Sequence, residues 1–198
     1  MSELAAIVLC GGESRRMGRP KAWLDFGGEK LLQRVVRLAA CAADPVVVVA
    51  AAEQDLPPLP PQVIVAKDAV HGRGPLEGFA AGLAALPEAA RFAYVTATDA
   101  PFLSPDWITL LRQLIGDHDV ALAHIDGRSH PLSALYRVRT VRPAVESLLA
   151  EGRLRVHDLV DRLNARLLDA GELDAVDPGR GTLRNINTPE DYQAMLSL

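Results

Sequence analysis

The chain has 198 residues, enough for one domain with a substantial hydrophobic core. Its 25 acidic residues outnumber the 21 lysines and arginines, and a formal net charge of −4 excludes a general electrostatic attraction to nucleic acid or to an anionic membrane. Two cysteines are too few for a disulfide framework, and without a signal-like N-terminus or an apolar run of roughly 20 residues the sequence predicts a single-domain cytoplasmic protein.

Short apolar runs alternate along the chain with longer segments of helical periodicity. Strands are predicted, in chain order, at 5–10, 45–50, 63–66, 92–98, 120–124, 132–138 and 183–187. Helices are predicted at 31–42, 75–86, 104–115, 140–150, 155–163 and 188–197. This order predicts an α/β fold in which helices cover a Rossmann-like, doubly wound and mostly parallel sheet. The region after Val120 breaks the alternation and leaves room for an antiparallel strand.

The two cysteines are predicted to be structural. Cys10 ends the first predicted strand and Cys41 lies in an alanine-rich helical stretch, so each should fill a small space in the core.

The loop after the first strand gives the strongest indication of a ligand. In an open parallel sheet, ligands bind beyond the carboxyl ends of the strands, and here the sequence LCGGESRRMGRPK occupies positions 9–21. Gly11 and Gly12 lack a Cβ, so main-chain N–H groups there can approach a polyphosphate. Four cations within seven residues of an acidic chain favour a polyanion such as a triphosphate as their partner. These cations are Arg15, Arg16, Arg19 and Lys21.

The alternative for this loop is a glycine turn with a solvated basic face. Two common nucleotide-binding loops are excluded, because the chain has no Gly-Lys-Ser/Thr sequence and its glycines do not follow the GxGxxG spacing. The position of the whole string directly after a strand predicts a triphosphate-binding loop of another type.

Asp99 follows the predicted strand 92–98 in the sequence TDAPF. A carboxylate at the carboxyl end of a strand suits Mg²⁺, which takes few protein ligands and completes its coordination with water and phosphate oxygens. Pro101 would stiffen the turn that orients Asp99. The alternative is that Asp99 only closes this turn.

The third strand is followed by Asp68 and then by the glycine-rich sequence GRGPLEG at positions 72–78. The main chain at the start of the next helix could contact a nucleobase or ribose near Gly74. Asp68 could instead be a turn residue, and the spacing of Gly74 and Gly78 could reflect close helix packing.

Two polar segments in the second half of the chain are candidates for the site of a second substrate. His130 lies in the predicted loop DGRSHPL at 126–132, where the alternative is a structural or merely exposed histidine. Asn185 and Asn187 flank an isoleucine, which places both amides on one side of a short strand, suited to a planar polar ligand. Asn187 or Thr188 could instead cap the last helix.

The motifs taken together resemble a known family. The first loop is similar to the signature of the NTP-transferase superfamily, which includes sugar-phosphate and isoprenoid nucleotidyltransferases. The ordered set GGESRRMGRPK, RGPLEG, TDAPF, SHPLSALY and NINTPED resembles molybdenum cofactor guanylyltransferases over nearly the whole chain, from Leu9 to Asp191. The resemblance implies a three-layer sandwich like that of the nucleotide-diphospho-sugar transferases.

The resemblance also implies a reaction, with GTP and molybdopterin as substrates, Mg²⁺ as cofactor, and molybdoenzymes or their chaperones as recipients of the product. It implies that Lys21 holds phosphate, that Asp99 binds the metal, and that Asn185 and Asn187 face the pterin. We further expect Lys21 and Asp99 to act in catalysis with help from Arg16, and His130 to contact the pterin substrate. The residues that would contact the nucleotide are Leu9, Cys10, Gly11, Gly12, Lys21, Asp68, Gly74 and Asp99.

The sequence departs from the family pattern at two places. Cys10 stands where these enzymes usually have alanine, and the segment from Val49 to Ala51 lacks the asparagine that the family often offers to the nucleotide. Nucleoside contacts in that segment must therefore come from the main chain. A cytidylyltransferase or another small-molecule nucleotidyltransferase, and a non-catalytic nucleotide or pterin carrier, stay open as alternatives.

Overall fold

The computed structural model describes residues 2–11, 17–68 and 74–198. Its strands are β1 (Leu4–Leu9), β2 (Asp25–Phe26), β3 (Glu29–Lys30), β4 (Val46–Ala51), β5 (Ile64–Asp68), β6 (Phe92–Ala97), β7 (Val120–Ile125), β8 (Arg128–Arg137) and β9 (Ala165–Leu168). Its α-helices are α1 (Leu31–Ala40), α2 (Pro75–Ala84), α3 (Pro105–Leu114), α4 (Val138–Ala150), α5 (Val156–Val160), α6 (Ala170–Asp174) and α7 (Pro189–Leu196). Short 3₁₀ turns occupy Lys21–Trp23 and Gly181–Leu183.

Seven strands form one sheet in the order β5-β4-β1-β6-β8-β7-β9, while β2 and β3 make a separate two-stranded ribbon. The strands of the large sheet are parallel except β8, which is antiparallel to β6 and to β7. The predicted α/β class is therefore confirmed, and the antiparallel strand lies in the region where the sequence breaks its alternation.

The sheet lies between two hydrophobic layers because alternate residues of its strands point to opposite faces. In β1, Ala6 and Val8 pack in the cluster that contains α1 and α3, whereas Ile7 and Leu9 pack in the cluster that contains α2, α4 and α5. This is the expected three-layer arrangement. Among the helices of the described residues, none combines the length and apolar character needed to span a bilayer.

Most predicted elements form within a few residues of their predicted bounds, but several predictions are wrong. The segment 183–187 is not a strand, because its main chain finds no neighbouring strand to pair with. The predicted loop at 126–132 is mostly strand, since β8 begins at Arg128 after a two-residue Asp126-Gly127 turn. Cys41 is exposed, because α1 ends at Ala40 with Cys41 on its solvent side. The elements β2, β3, β9 and α6 were not predicted from the sequence.

The packing of α2 against the sheet gives a stability prediction for two glycines of this helix. A Cβ at Gly82 would lie 2.6 Å from Cγ2 of the buried Ile7, too close for the core to accept without a shift. A Cβ at Gly78 would find its nearest atom, Cδ2 of Leu9, at an ordinary 3.6 Å. We expect Gly82→Ala to lower the free energy of unfolding by about 1–3 kcal/mol.

The matched control is Gly78→Ala, which adds the same methyl group one helical turn earlier. Because alanine has a higher helix propensity than glycine, this variant should be as stable as the original protein or up to about 1 kcal/mol more stable. Urea denaturation measures both values. Equal effects of the two substitutions would contradict the close approach at Gly82.

Candidate active site

The carboxyl ends of β1 and β6 lie side by side at the centre of the sheet. The two strands pair in parallel with Leu9 opposite Ala97. The main-chain N–H of Thr98 then donates to the carbonyl oxygen of Leu9 at 3.1 Å, and the Thr98 hydroxyl donates to the same oxygen at 3.3 Å. The loop that begins at Cys10 and the loop that contains Asp99 therefore leave the sheet next to each other.

Lys21 and Asp99 meet across these two loops. Lys21 begins a 3₁₀ turn, and its Nζ donates to Oδ2 of Asp99 at 2.8 Å. The side chains are only 22% and 17% exposed, respectively, so solvent screens the two opposite charges incompletely. The ammonium and the carboxylate, 78 residues apart in sequence, thus form one partly shielded charge centre.

The segment before α7 closes one side of this centre. The main-chain N–H of Ile186 donates to the carbonyl oxygen of Asp99 at 2.9 Å, and the buried Ile186 side chain packs in a third hydrophobic cluster beside Met17 and Leu24. This anchor leaves Asn185 and Asn187 exposed on either side. Oδ1 of Asn187 accepts from Nζ of Lys21 at 3.4 Å, which brings Asn187 to the charge centre.

The start of α7 fixes the position of Asn187. The carboxylate of Asp191 accepts hydrogen bonds from the main-chain N–H groups of Asn187 and Thr188 at 3.0 and 2.9 Å, and the Thr188 side chain caps the helix. These bonds hold the pKa of Asp191 below its usual value. The bond from Asn187 has the largest effect, and the positive charge of Lys21 also contributes. The capping role of Thr188 that the sequence suggested is confirmed, and it coexists with the contact of Asn187 to Lys21.

Asp68 and Gly74 lie at the ends of neighbouring elements at this edge of the sheet. Asp68 is the last residue of β5, and its Oδ2 lies 3.8 Å from the position that a Cβ would take on Gly78 in α2. Gly74 precedes α2 with a φ of 104°, and a Cβ there would lie 3.2 Å from the carbonyl oxygen of Leu154. The local backbone therefore requires a glycine at position 74. The contact of Gly74 with a nucleotide stays a prediction.

The loop that follows β1 lies only partly within the described residues. Gly12 and Arg16 lie outside the described residues, so the roles predicted for them stay predictions. Leu9 and Cys10 are buried, with their side chains in the two layers of the core. Main-chain groups of both residues are also paired: the carbonyl oxygen of Leu9 accepts from Thr98, and the N–H of Cys10 donates to the carbonyl oxygen of Val49. The nucleotide contacts predicted for Leu9, Cys10 and Gly11 therefore stay predictions.

His130 lies in the antiparallel strand β8. It lines a cleft of about 450 Å³. Burial lowers the pKa of its imidazole, and the nearby basic groups His157, His124 and Arg128 lower it further. These surroundings favour the neutral form of His130.

The residues of the charge centre fit a hard divalent cation held by few protein ligands. The described residues contain no group of three or more His, Cys, Asp or Glu side chains able to hold a metal ion alone. Such a metal would need one carboxylate from the protein and further oxygens from water or a phosphate. Asp99 supplies a carboxylate of this kind, since its Oδ2 is paired with Lys21 while its Oδ1 makes no hydrogen bond or ion pair within the described part of the chain.

Comparison with known proteins identifies the family. The model of the MobA-like NTP transferase domain matches residues 6–167. The chain belongs to the MobA-like NTP transferase family. It is 39% identical over 197 residues to a Mycobacterium avium protein named "Probable molybdenum cofactor guanylyltransferase", with 98% of this chain and 95% of the relative covered. A relative of the same name from Mycobacterium marinum is 40% identical over 195 residues, covering 96% and 92% of the two chains.

Solved structures share the fold. Molybdopterin-guanine dinucleotide biosynthesis protein A from Archaeoglobus fulgidus superposes with a TM-score of 0.80 at 23% identity, covering 98% of this chain and 97% of the other. The 2-C-methyl-D-erythritol 4-phosphate cytidylyltransferase from Thermus thermophilus superposes with a TM-score of 0.71 at 16% identity, covering 98% of each chain. The architecture is thus common to proteins named for different nucleotides. The nucleotidyltransferases of this family are enzymes that generally depend on a metal ion.

In this MobA-like NTP transferase, Gln54 organises the region where the usual asparagine is missing. Its Nε2 donates to the carbonyl oxygen and to Sγ of Cys10 at 3.0 and 3.3 Å, and its Oε1 accepts from the N–H of Ala51 at 3.2 Å. One amide therefore joins the ends of β1 and β4. Gln54 was not predicted from the sequence, because a glutamine in a polar loop belongs to no recognisable motif.

The two thiols of the protein are predicted to differ in reactivity. Burial raises the pKa of the Cys10 thiol, whereas Cys41 is exposed. Because the thiolate is the reactive form, we expect Ellman's reagent to modify Cys41 rapidly in the native protein and Cys10 only after unfolding. In Cys41→Ser the rapid phase should disappear. A rapid phase that persists in that variant would show that Cys10 is accessible and would contradict its buried position.

Proposed function

We propose that the protein transfers GMP from GTP to molybdopterin, giving molybdopterin guanine dinucleotide and pyrophosphate. The observation that carries the proposal is the 2.8 Å contact between Lys21 and Asp99, which unites the basic loop after β1 with the acid after β6. The names of relatives about 40% identical over nearly the whole chain support the choice of substrates.

The reaction requires the protein mainly to position the two substrates and to neutralise their charge. An oxygen of the acceptor's terminal phosphate would attack the α-phosphorus of GTP, and the bond from that phosphorus to the bridging oxygen would break in line. The pyrophosphate leaves with the bonding electron pair. A phosphate monoester is largely ionised near neutral pH, so no strong general base is needed.

Lys21 and Asp99 have complementary tasks in this proposal. Nζ of Lys21 would transfer its contact from the carboxylate to a phosphate oxygen and offset the charge that develops on the leaving pyrophosphate. Arg16 would assist on the same loop. The carboxylate of Asp99 would hold Mg²⁺, which when bound neutralises phosphate charge and steadies the in-line geometry.

The remaining predicted residues would position the two substrates. Asp68 and the main chain at Gly11, Gly12 and Gly74 would contact the nucleotide. Asn185 and Asn187, which lie on the other side of the charge centre, would contact the pterin substrate. The contact of Asn187 with Lys21 supports a place where the two substrates meet.

Product formation tests the proposal directly. The protein is incubated with Mg²⁺, molybdopterin and GTP, CTP or ATP labelled at the α-phosphate, and the products are separated. We expect a labelled dinucleotide and an equal amount of pyrophosphate from GTP. A labelled product from CTP instead would establish a cytidylyltransferase, and nucleotide binding without pyrophosphate release would establish a carrier; either result would contradict the proposal.

A further inference from the structure

The cleft that contains His130 lies at the same edge of the sheet as the Lys21–Asp99 pair. Its volume of about 450 Å³ falls within the roughly 300–1,000 Å³ typical of small-molecule sites. It is lined by the β7–β8 hairpin and by the segment that leads to α7, through Ile125, Asp126, Arg128, His130, Arg180 and Leu183.

The backbone of this cleft is strained at Arg180 and is held in place there. The two described non-glycine residues with positive φ, Asp126 at 50° and Arg180 at 53°, both line it. Asp126 forms a two-residue turn with Gly127, where such a φ is common. Arg180 has no such explanation, and the carboxylate of Asp177 pins the turn that follows it by accepting from the N–H groups of Gly181 and Thr182 at 3.0 and 2.8 Å. Strain that the surrounding structure maintains in a cleft points to a binding role.

The charges of the cleft are balanced. Arg128 and Arg180 bring two positive charges, Asp126 brings one negative charge, and Asp174 forms an ion pair with Nε of Arg180 at 3.5 Å. Burial favours the neutral form of His130. A balanced set of strong donors and acceptors does not suit a polyphosphate, but it suits an uncharged ring with a polar edge.

We infer that this cleft binds the pterin ring of the acceptor, with Asp126 accepting hydrogen bonds from the ring's amino-pyrimidinone edge. That edge presents a ring N–H and an exocyclic amino group side by side, which match the two oxygens of a carboxylate. The carbonyl oxygen next to them suits a guanidinium, which Arg128 and Arg180 supply. Ile125 and Leu183 offer apolar surface to the faces of the ring.

The position of the cleft agrees with this use. Leu183 in the cleft wall is three residues from Ile186, whose N–H contacts the carbonyl oxygen of Asp99, so the connecting chain spans at most about 11 Å. The ring and the phosphate of the acceptor lie at opposite ends of one small molecule. An acceptor seated in the cleft can therefore direct its phosphate toward the charge centre. The inference rests on the proposed function, because it assigns the ring end of that acceptor.

Two ring compounds that differ at one position test the inference without turnover. In 6,7-dimethyllumazine a carbonyl oxygen replaces the 2-amino group of 6,7-dimethylpterin, so the carboxylate of Asp126 loses a donor and meets an acceptor. Ring fluorescence measures both affinities at a mildly acidic pH, where both rings are neutral. We expect the original protein to prefer the pterin at least tenfold, about the effect of one charge-assisted hydrogen bond.

Asp126→Asn should abolish or reverse this preference, because its amide can donate to the lumazine carbonyl. The fold should be kept, since Asn-Gly and Asp-Gly form the same hairpin turn. Asp117→Asn makes the same charge change before β7, at the opposite edge of the sheet, and should keep the preference. No saturable pterin binding, equal affinity for both rings, an unchanged ratio in Asp126→Asn, or displacement of the ring by inorganic pyrophosphate would each overturn the inference.

The transfer assay separates this inference from the proposed function. With molybdopterin as acceptor, Asp126→Asn should raise the KM for molybdopterin about tenfold and leave the KM for GTP unchanged. An unchanged KM for molybdopterin would refute the cleft while the guanylyltransferase activity stands. Pterin binding with the expected preference, but no dinucleotide from GTP, would refute the proposed activity while the cleft stands.

Discussion

Asp99→Asn is expected to lower kcat/KM for GMP transfer by at least about 10²–10³-fold, even at saturating Mg²⁺. The substitution keeps the size of the side chain but removes the charge that would hold the metal, and effects of this order follow the loss of one preorganised electrostatic contact. The fold should be preserved, because the contact of residue 99 with Ile186 uses main-chain atoms. Pyrophosphate release measures the rate.

The control for Asp99→Asn is Glu151→Gln. This substitution neutralises the acidic member of another ion pair, the one between Glu151 and Arg162 on the surface. This variant should retain near-normal activity, since exposed ion pairs contribute little. Near-normal activity of Asp99→Asn at saturating Mg²⁺ would remove the metal-binding role proposed for Asp99.

Lys21→Met should lower kcat/KM by at least about 10²-fold, because it removes the cation proposed to offset charge on the leaving pyrophosphate. Methionine keeps most of the length and apolar contact of the lysine stem. Lys21→Arg should restore part of the activity, since it restores the charge in a different shape. An effect below about threefold in Lys21→Met would show that this loop does not bind the triphosphate.

The double variant Lys21→Met with Asp99→Asn separates catalysis from a structural ion pair. If the two side chains only neutralised each other, removing both would leave no unpaired charge and would restore activity. If they bind different parts of the nucleotide and its metal, the double variant should be at least as inactive as either single variant.

The centre of the fold and the meeting of Lys21 with Asp99 were predictable for the same reason. The apolar runs of β1, β4 and β6 are long enough to be recognised as buried parallel strands, and parallel strands bring their carboxyl ends to one edge. Charged residues that follow two such strands are therefore expected to be neighbours even when they are far apart in sequence.

The edges of the sheet were harder to predict because their residues depend on pairing partners. Ala165–Leu168 forms β9 by pairing with β7, and four residues with an arginine among them show no pattern of their own. The segment 183–187 shows the reverse case. It alternates exposed asparagines with a buried isoleucine, but the N–H of Ile186 bonds to the turn at Asp99, so the alternation occurs without a strand.

The cleft of Asp126 and Arg180 could not have been predicted from sequence. Its two walls come from segments at least 50 positions apart, and Arg180 stands in a polar stretch without periodicity. Its left-handed backbone and its ion pair with Asp174 appear only once the chain is folded.

A crystal structure with Mn²⁺ and the α,β-methylene analogue of GTP, which cannot be cleaved, tests the central claim most directly. We expect an anomalous Mn²⁺ peak in direct coordination with a carboxylate oxygen of Asp99. We also expect Nζ of Lys21 to contact a phosphate oxygen of the same nucleotide. A nucleotide bound elsewhere, with the ion pair between Lys21 and Asp99 intact, would contradict it.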